Sequence, residues 1–194
     1  MNLTCSRARR LAAITAITGF AGLAGQAAAF TLSSPAFEPG GTIPQKHTCD
    51  GSATARERHA ADTNAGVSPA LVWRDSPSAT KAFALVVDDP DTPTGSYVYW
   101  VLYDIPASQT SLSEGVARSE ELPDGSKQGR NDFRNPFYQG PCPPRGDPLH
   151  RFVFTLYALA APLDLPPAAT KTAVMQAINR HKLGKAELIG QYGR

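Results

Sequence analysis

Short apolar runs separated by turn residues set the rhythm of this chain, the pattern of a β-rich domain. Ala82–Val87 is a compact apolar run and predicts a buried strand. Tyr97–Ile105 predicts a second, with Tyr97, Tyr99, Val101 and Tyr103 on one face and Val98, Trp100 and Leu102 on the other. Arg151–Leu159 predicts a third, with Phe152, Phe154, Leu156 and Ala158 on one face. β-Branched and aromatic residues dominate all three. Helical spacing appears once, near the end: Thr170 can cap a helix carrying Val174, Ala177, Ile178 and His181, with Gly184 as its stop. A short strand is expected around Glu187–Tyr192. Arg56–Gly66 is polar and aperiodic and reads as an exposed loop. The layout predicts a mainly β domain, a β-sandwich or related all-β core with a minor helix.

The first 29 residues follow a different rule. Arg7, Arg9 and Arg10 precede an uncharged apolar stretch from Leu11 to Gly25, and Ala27–Ala29 supplies small residues for cleavage. This is the layout of a secretory signal peptide, with a cut after Ala29 and a domain spanning residues 30–194. The apolar stretch is shorter than the roughly 20 residues a spanning helix needs, and no later run is long enough. Without the leader, Lys plus Arg falls from 19 to 16 against 17 Asp plus Glu, so the net charge becomes −1. No basic patch for nucleic acid remains. The expected location is the periplasm or the exterior. Disulfides persist there, and Cys49 and Cys142 are compatible with one bridge or with two buried thiols.

Two clusters carry candidate chemistry. Asp88-Asp89-Pro90-Asp91-Thr92-Pro93 directly follows the first strand. Proline interrupts the spacing of a calcium loop, and its glycine and terminal glutamate are missing, so no metal site is predicted. A proline-stiffened turn accounts for some of these acids. The second cluster runs from Gly140-Pro141-Cys142-Pro143-Pro144 through Arg145-Gly146-Asp147 to His150-Arg151-Phe152. Prolines fix φ and remove N–H donors, which leaves a rigid loop whose Gly and Cys amides could cradle an anion. His150 stands at the start of the third strand, hence at a sheet end.

These segments resemble the phosphatidylethanolamine-binding protein family, in its bacterial Raf-kinase-inhibitor-like branch. The resemblance runs through Leu32-Ser33-Ser34-Pro35-Ala36-Phe37, His47-Thr48-Cys49-Asp50-Gly51, Ser68-Pro69-Ala70-Leu71-Val72-Trp73, the Asp88–Pro93 cluster, Trp100-Val101, Asn131-Asp132-Phe133, the Gly140–Pro144 loop, His150-Arg151 and Tyr192-Gly193-Arg194. It implies two packed antiparallel sheets with a few peripheral helices. It also implies a small pocket for phosphate-like or other small anions, lined by the positions of Asp89 and His150 and by the proline loop. The candidate ligand-binding set is therefore Asp89, Asp91, Tyr99, Gly140, Pro141, Cys142, Pro143, His150 and Phe152. Two positions depart from the family pattern: Tyr99 stands where a pocket histidine is usual, and Phe152 where tyrosine is common. Both changes reduce polar pocket chemistry, and one lost hydrogen bond to a charged group weakens binding by about 10- to 150-fold. Asp89 would repel an anion unless it is paired, so Asp89 is expected to orient His150, which then donates to the ligand.

The functional expectation is an exported binding protein for a small anionic or phospho-headgroup ligand, with no cofactor and no catalysis. The alternative is a protein-interaction or inhibitor module acting on an envelope enzyme, with Arg56–Gly66 as a contact loop. A hydrolase is the third reading. In it His150 and the aspartates would make a base and its orienter and Cys142 could serve as nucleophile, but prolines surround that cysteine and no nucleophile-elbow pattern is present.

Overall fold

The computed structural model describes residues 29–51 and 66–194. The predicted leader up to residue 28 and the Arg56–Gly66 loop up to residue 65 lie outside the described residues. Among the described residues, no helix is long and apolar enough to cross a membrane.

Two antiparallel sheets face one another. The smaller joins β1 (Thr31–Ser33), β2 (Leu71–Arg74) and β5 (Ser111–Leu112) in the order β1-β2-β5. The larger joins β3 (Ala82–Asp89), β4 (Tyr97–Pro106), β6 (Lys127–Gly129), β7 (His150–Leu159) and β8 (Lys182–Tyr192) in the order β6-β4-β3-β7-β8. The inter-sheet core joins Leu32, Leu71, Trp73 and Leu112 to Phe83, Leu85, Val87, Trp100, Phe154 and Leu156. Helix α1 (Lys171–His181) covers the other face of the large sheet, where Val174, Ala177 and Ile178 pack with Ala84, Val86, Val101, Tyr103 and Leu159. The mainly β, sandwich-like fold expected from the sequence is the one observed. Besides α1, the described residues include one short 3-10 turn at Gln45–His47.

Position in the sheet explains each hydrophobic pattern. β3 is the central strand, with cores on both faces, so its apolar run is continuous rather than alternating. β7 keeps strict alternation, and Phe152, Phe154, Leu156 and Ala158 all enter the inter-sheet core. β4 does not. Val87 lies opposite Trp100 and Asp88 opposite Val98, which leaves Tyr99 as the extra residue of a bulge. Tyr99 therefore shares the inter-sheet side with Trp100 and Leu102, while Val101 and Tyr103 face the helix. The expected grouping of Tyr99 with Val101 and Tyr103 fails because the bulge shifts the phase by one residue. A second irregularity, near Asp104 at φ 56°, returns Ile105 to the inter-sheet side.

The helix starts as predicted, with the Thr170 hydroxyl accepting from the Ala173 amide at 3.3 Å. Its end differs. Lys182 is already extended, and Gly184 pairs with Ala158 inside β8 rather than stopping the helix. β7 offers partners back to Leu159, which pairs with Lys182, so the strand expected at Glu187–Tyr192 begins five residues earlier.

Cys49 and Cys142 form a disulfide across 93 residues of sequence, with Cα atoms 5.3 Å apart. In the chain-entropy account, closing a loop of this length stabilises the fold by about 4–5 kcal/mol through the unfolded state.

Phe154 has no solvent exposure and packs its ring 5.7 Å from Phe37. Phe154→Ala should cost about 3–5 kcal/mol, read as a lower urea midpoint at unchanged m-value. A loss below about 1 kcal/mol would contradict this packing.

Candidate ligand-binding site

Because neighbouring strands run antiparallel, the end of β3 meets the starts of β4 and β7 and the end of β8 at one edge of the large sheet. Asp89 pairs with Tyr97, and His150 with Tyr192. The two clusters marked in the sequence converge there.

The three aspartates take separate partners. Asp88 accepts from the Ser96 hydroxyl. Asp89 is fully buried; its Oδ2 lies 2.7 Å from His150 Nδ1, and its Oδ1 accepts the Asp91 amide at 2.9 Å. A carboxylate facing Nδ1 makes that nitrogen the donor, which leaves Nε2 for other partners. Asp91 accepts from the Arg151 amide at 2.8 Å and pairs with both Nε and a terminal guanidinium nitrogen, the latter at 2.6 Å. The Arg151 hydrogen bonds hold the Asp91 carboxyl down at about 2. Among the described residues, the charged group within 4 Å of His150 Nε2 is Asp147, whose Oδ2 lies at 3.6 Å.

The Gly140–Pro144 loop is pinned behind this edge. The disulfide ties it to Cys49, and the Cys49 amide donates to the Pro141 carbonyl at 3.1 Å. Gly140 is required, since a Cβ there would sit 2.5 Å from the Thr48 carbonyl carbon. Arg194 Nε donates to the Pro143 carbonyl at 2.7 Å. Asp50 gathers the Tyr192 hydroxyl at 2.8 Å together with Arg194 and Arg145. The Tyr192 hydrogen bond is the main influence lowering the Asp50 pKa.

The Tyr99 and Phe152 rings pack together in the inter-sheet core. Their rings meet edge to face, 5.2 Å apart at 86°, and Tyr99 also touches Phe133 and Tyr97. Tyr99 is only 4% exposed; burial, then the neighbouring Asp89 charge, push its hydroxyl far above the usual range, against a backbone hydrogen bond from Cys142.

At the strand edge opens a cleft of about 560 Å³, walled by Asp91, Asp147, Leu149, His150, Arg151 and Gln191 with Pro93 and Pro148. Of the candidate set, Asp91 and His150 line this cleft, and Asp89 lies directly behind His150. Tyr99, Phe152, Gly140, Pro141 and Pro143 are buried, and Cys142 is half-buried in the disulfide. The set expected from the sequence lacks Asp147, Leu149 and Arg151. Arg151 had a signal: pairing Asp89 with His150 brings the next acid, Asp91, beside the next residue of β7.

The profile of the family described as phosphatidylethanolamine-binding protein matches residues 33–193. The chain is 44% identical over 163 residues to a UPF0098 protein of Methanothermobacter thermautotrophicus, covering 84% of this chain and 98% of that one. It is 37% identical to LppC of Mycobacterium tuberculosis, a lipoprotein by name, covering 86% of this chain and 73% of that one. The crystal structure of Escherichia coli YbcL, described as a member of the mammalian PEBP family, superposes with a TM-score of 0.72 at 32% identity, covering 86% of this chain and 99% of that one.

The Asp91–Arg151 pair should leave a signature in acid. The folded-state pKa of about 2 lies below the ordinary 3.8. The pair's contribution is therefore complete above that ordinary value and is lost as pH falls toward 2, in part screened by solvent at the half-exposed Arg151. Urea midpoints measured at pH 5 and pH 3 should converge for the protein and Asp91→Asn as the pH drops. An equal gap at both pH values would contradict this.

Proposed function

Because this chain belongs to the phosphatidylethanolamine-binding protein family, we propose that it is an exported binding protein whose sheet-edge cleft takes a small anionic or phosphate-bearing ligand through His150. The observation that carries this reading is the buried Asp89 carboxylate on Nδ1, which leaves Nε2 as the ring atom turned toward the cleft. A ligand oxygen meeting a protonated Nε2 gains a charge-assisted hydrogen bond. Asp91 is already matched by Arg151, so it adds little repulsion. Asp147 does oppose an anion at the same cleft.

Binding rather than catalysis is the proposed role. Cys142 is held in a disulfide, which removes it as a nucleophile. Export is supported by the leader pattern of the sequence, by a disulfide of the kind that persists outside the cytosol, and by the lipoprotein name of the mycobacterial relative. A second reading, a contact surface for an envelope protein, is favoured by Leu149, which is 60% exposed at the rim of the cleft.

Phosphate and phosphoethanolamine titrations, followed by heteronuclear NMR, should shift Asp91, Asp147, His150 and Arg151 at millimolar ligand. His150→Gln should weaken binding by about 10-fold or more. Absence of any shift would overturn the ligand reading in favour of the protein-contact surface.

A further inference from the structure

The two ends of the large sheet differ in charge. The cleft lies at one, where β3 finishes and β7 starts. At the other, Ala82 pairs with Leu159 and Leu159 with Lys182, and the Lys81 and Ala160 amides donate to the Leu159 and His181 carbonyls. The turn after β2 folds against this end, since a Cβ on Gly184 would lie 3.4 Å from Pro77. Arg74 stands just before that turn, Arg180 in the last turn of α1 and Lys182 at the start of β8. With Lys81 they make four exposed cations; Asp75 shares the end, and Asp164 lies toward β4, where the Leu163 amide donates to Asp104. Among the described residues, none of the four cations forms an ion pair. Residues 30–194 carry a net charge of −1, so composition does not account for this cluster. The negative end of the α1 dipole favours Arg180 and Lys182, but not Arg74 or Lys81. Leu183, next to Lys182, is 41% exposed. The chain also enters the domain here: Thr31 pairs with Arg74, and the Phe30 ring lies 6.2 Å from Phe83 at the start of β3.

We propose that this end of the large sheet docks on an anionic phospholipid bilayer, with Arg74, Lys81, Arg180 and Lys182 against the headgroup phosphates and Leu183 entering the interface. Each cation held near such a surface strengthens partitioning by about 5-fold, and an exposed leucine among them adds apolar contact. The point of chain entry favours a bilayer over an acidic protein as the occupant. The residues before Phe30 have the pattern of an export leader, so the domain emerges at a membrane with this end nearest to it. Docked in this way, the cleft stands about 30 Å off along β7, beyond the reach of the surface field and open to solutes. The docking surface lies outside the cleft and stands whether or not the cleft binds an anion.

The test adds bilayer discs carrying a headgroup spin label, made either of phosphatidylcholine alone or of phosphatidylglycerol mixed with phosphatidylcholine. It reads the broadening of amide NMR signals together with the partition coefficient. On the anionic discs, amides of residues 74–81 and 180–184 should broaden while those of Asp91 and His150 keep their intensity. Discs of phosphatidylcholine alone should leave both sets sharp. Arg180→Gln combined with Lys182→Gln should weaken partitioning by about 10-fold or more. Arg134→Gln removes an exposed cation near the cleft end of β4 and should change partitioning by less than about 2-fold. Leu183→Asn should weaken it by about 3-fold or more. Broadening confined to Asp91 and His150 would overturn the docking surface and leave the ligand reading of the cleft intact. Equal broadening on neutral discs, or no broadening on either, would overturn it as well. So would an equal loss in the double variant and in Arg134→Gln, since net charge and not this end would then govern binding.

Discussion

The buried contact between Asp89 and His150 is the interaction on which the site's arrangement depends. A carboxylate with no solvent exposure is tolerable only with its oxygens occupied, and both are: one by the imidazole, one by the Asp91 amide. That second bond folds the chain after β3 so that Asp91 reaches Arg151. Two acids spaced by one residue thus clamp two consecutive residues of β7. Removing one partner of such a buried pair typically costs about 3–5 kcal/mol, because the other is left uncompensated. The clamp fixes the strand edge, the orientation of the imidazole and the wall of the cleft together.

A second constraint acts behind the first. The disulfide, the Cys49–Pro141 backbone bond and the close approach of Gly140 to Thr48 hold the proline loop against the 48–51 segment. The β8 end reaches the same segment through Tyr192 and Asp50. A loop with so few free N–H groups cannot join a sheet, so its position comes from these ties. The cleft opens at the clamped edge of β7, the tethered loop lies beside the β8 end, and the Tyr99 and Phe152 rings pack edge to face in the core.

Much of this was legible in the residues. The apolar runs of β3, β4 and β7 and the Thr170 cap follow from local pattern and propensity. The convergence of the acid–proline cluster and His150 was implied by the family resemblance and agrees with the place of each at a strand end. What escaped was tertiary. The bulge at Tyr99 is a mismatch between two strands, and alternation read along β4 alone contains no sign of it. Gly184 read as a helix stop because glycine ends helices, yet β7 recruits it into a strand. Whether Cys49 and Cys142 meet depends on geometry across 93 residues, which spacing does not encode. Asp147 and Leu149 belong to the cleft because the segment before β7 folds over its edge, an outcome of packing rather than of composition.

The nitrogen chemical shifts of the His150 imidazole, from long-range proton–nitrogen correlation spectra at neutral pH, test the clamp most directly. Asp89 as the partner of Nδ1 predicts that Nδ1 carries the proton in the neutral ring, that Nε2 is the nitrogen moved by added phosphate, and that Asp89→Asn abolishes this preference. A neutral ring protonated on Nε2, or one whose tautomers exchange freely in the unaltered protein, would contradict the clamp and the reading of the cleft built on it.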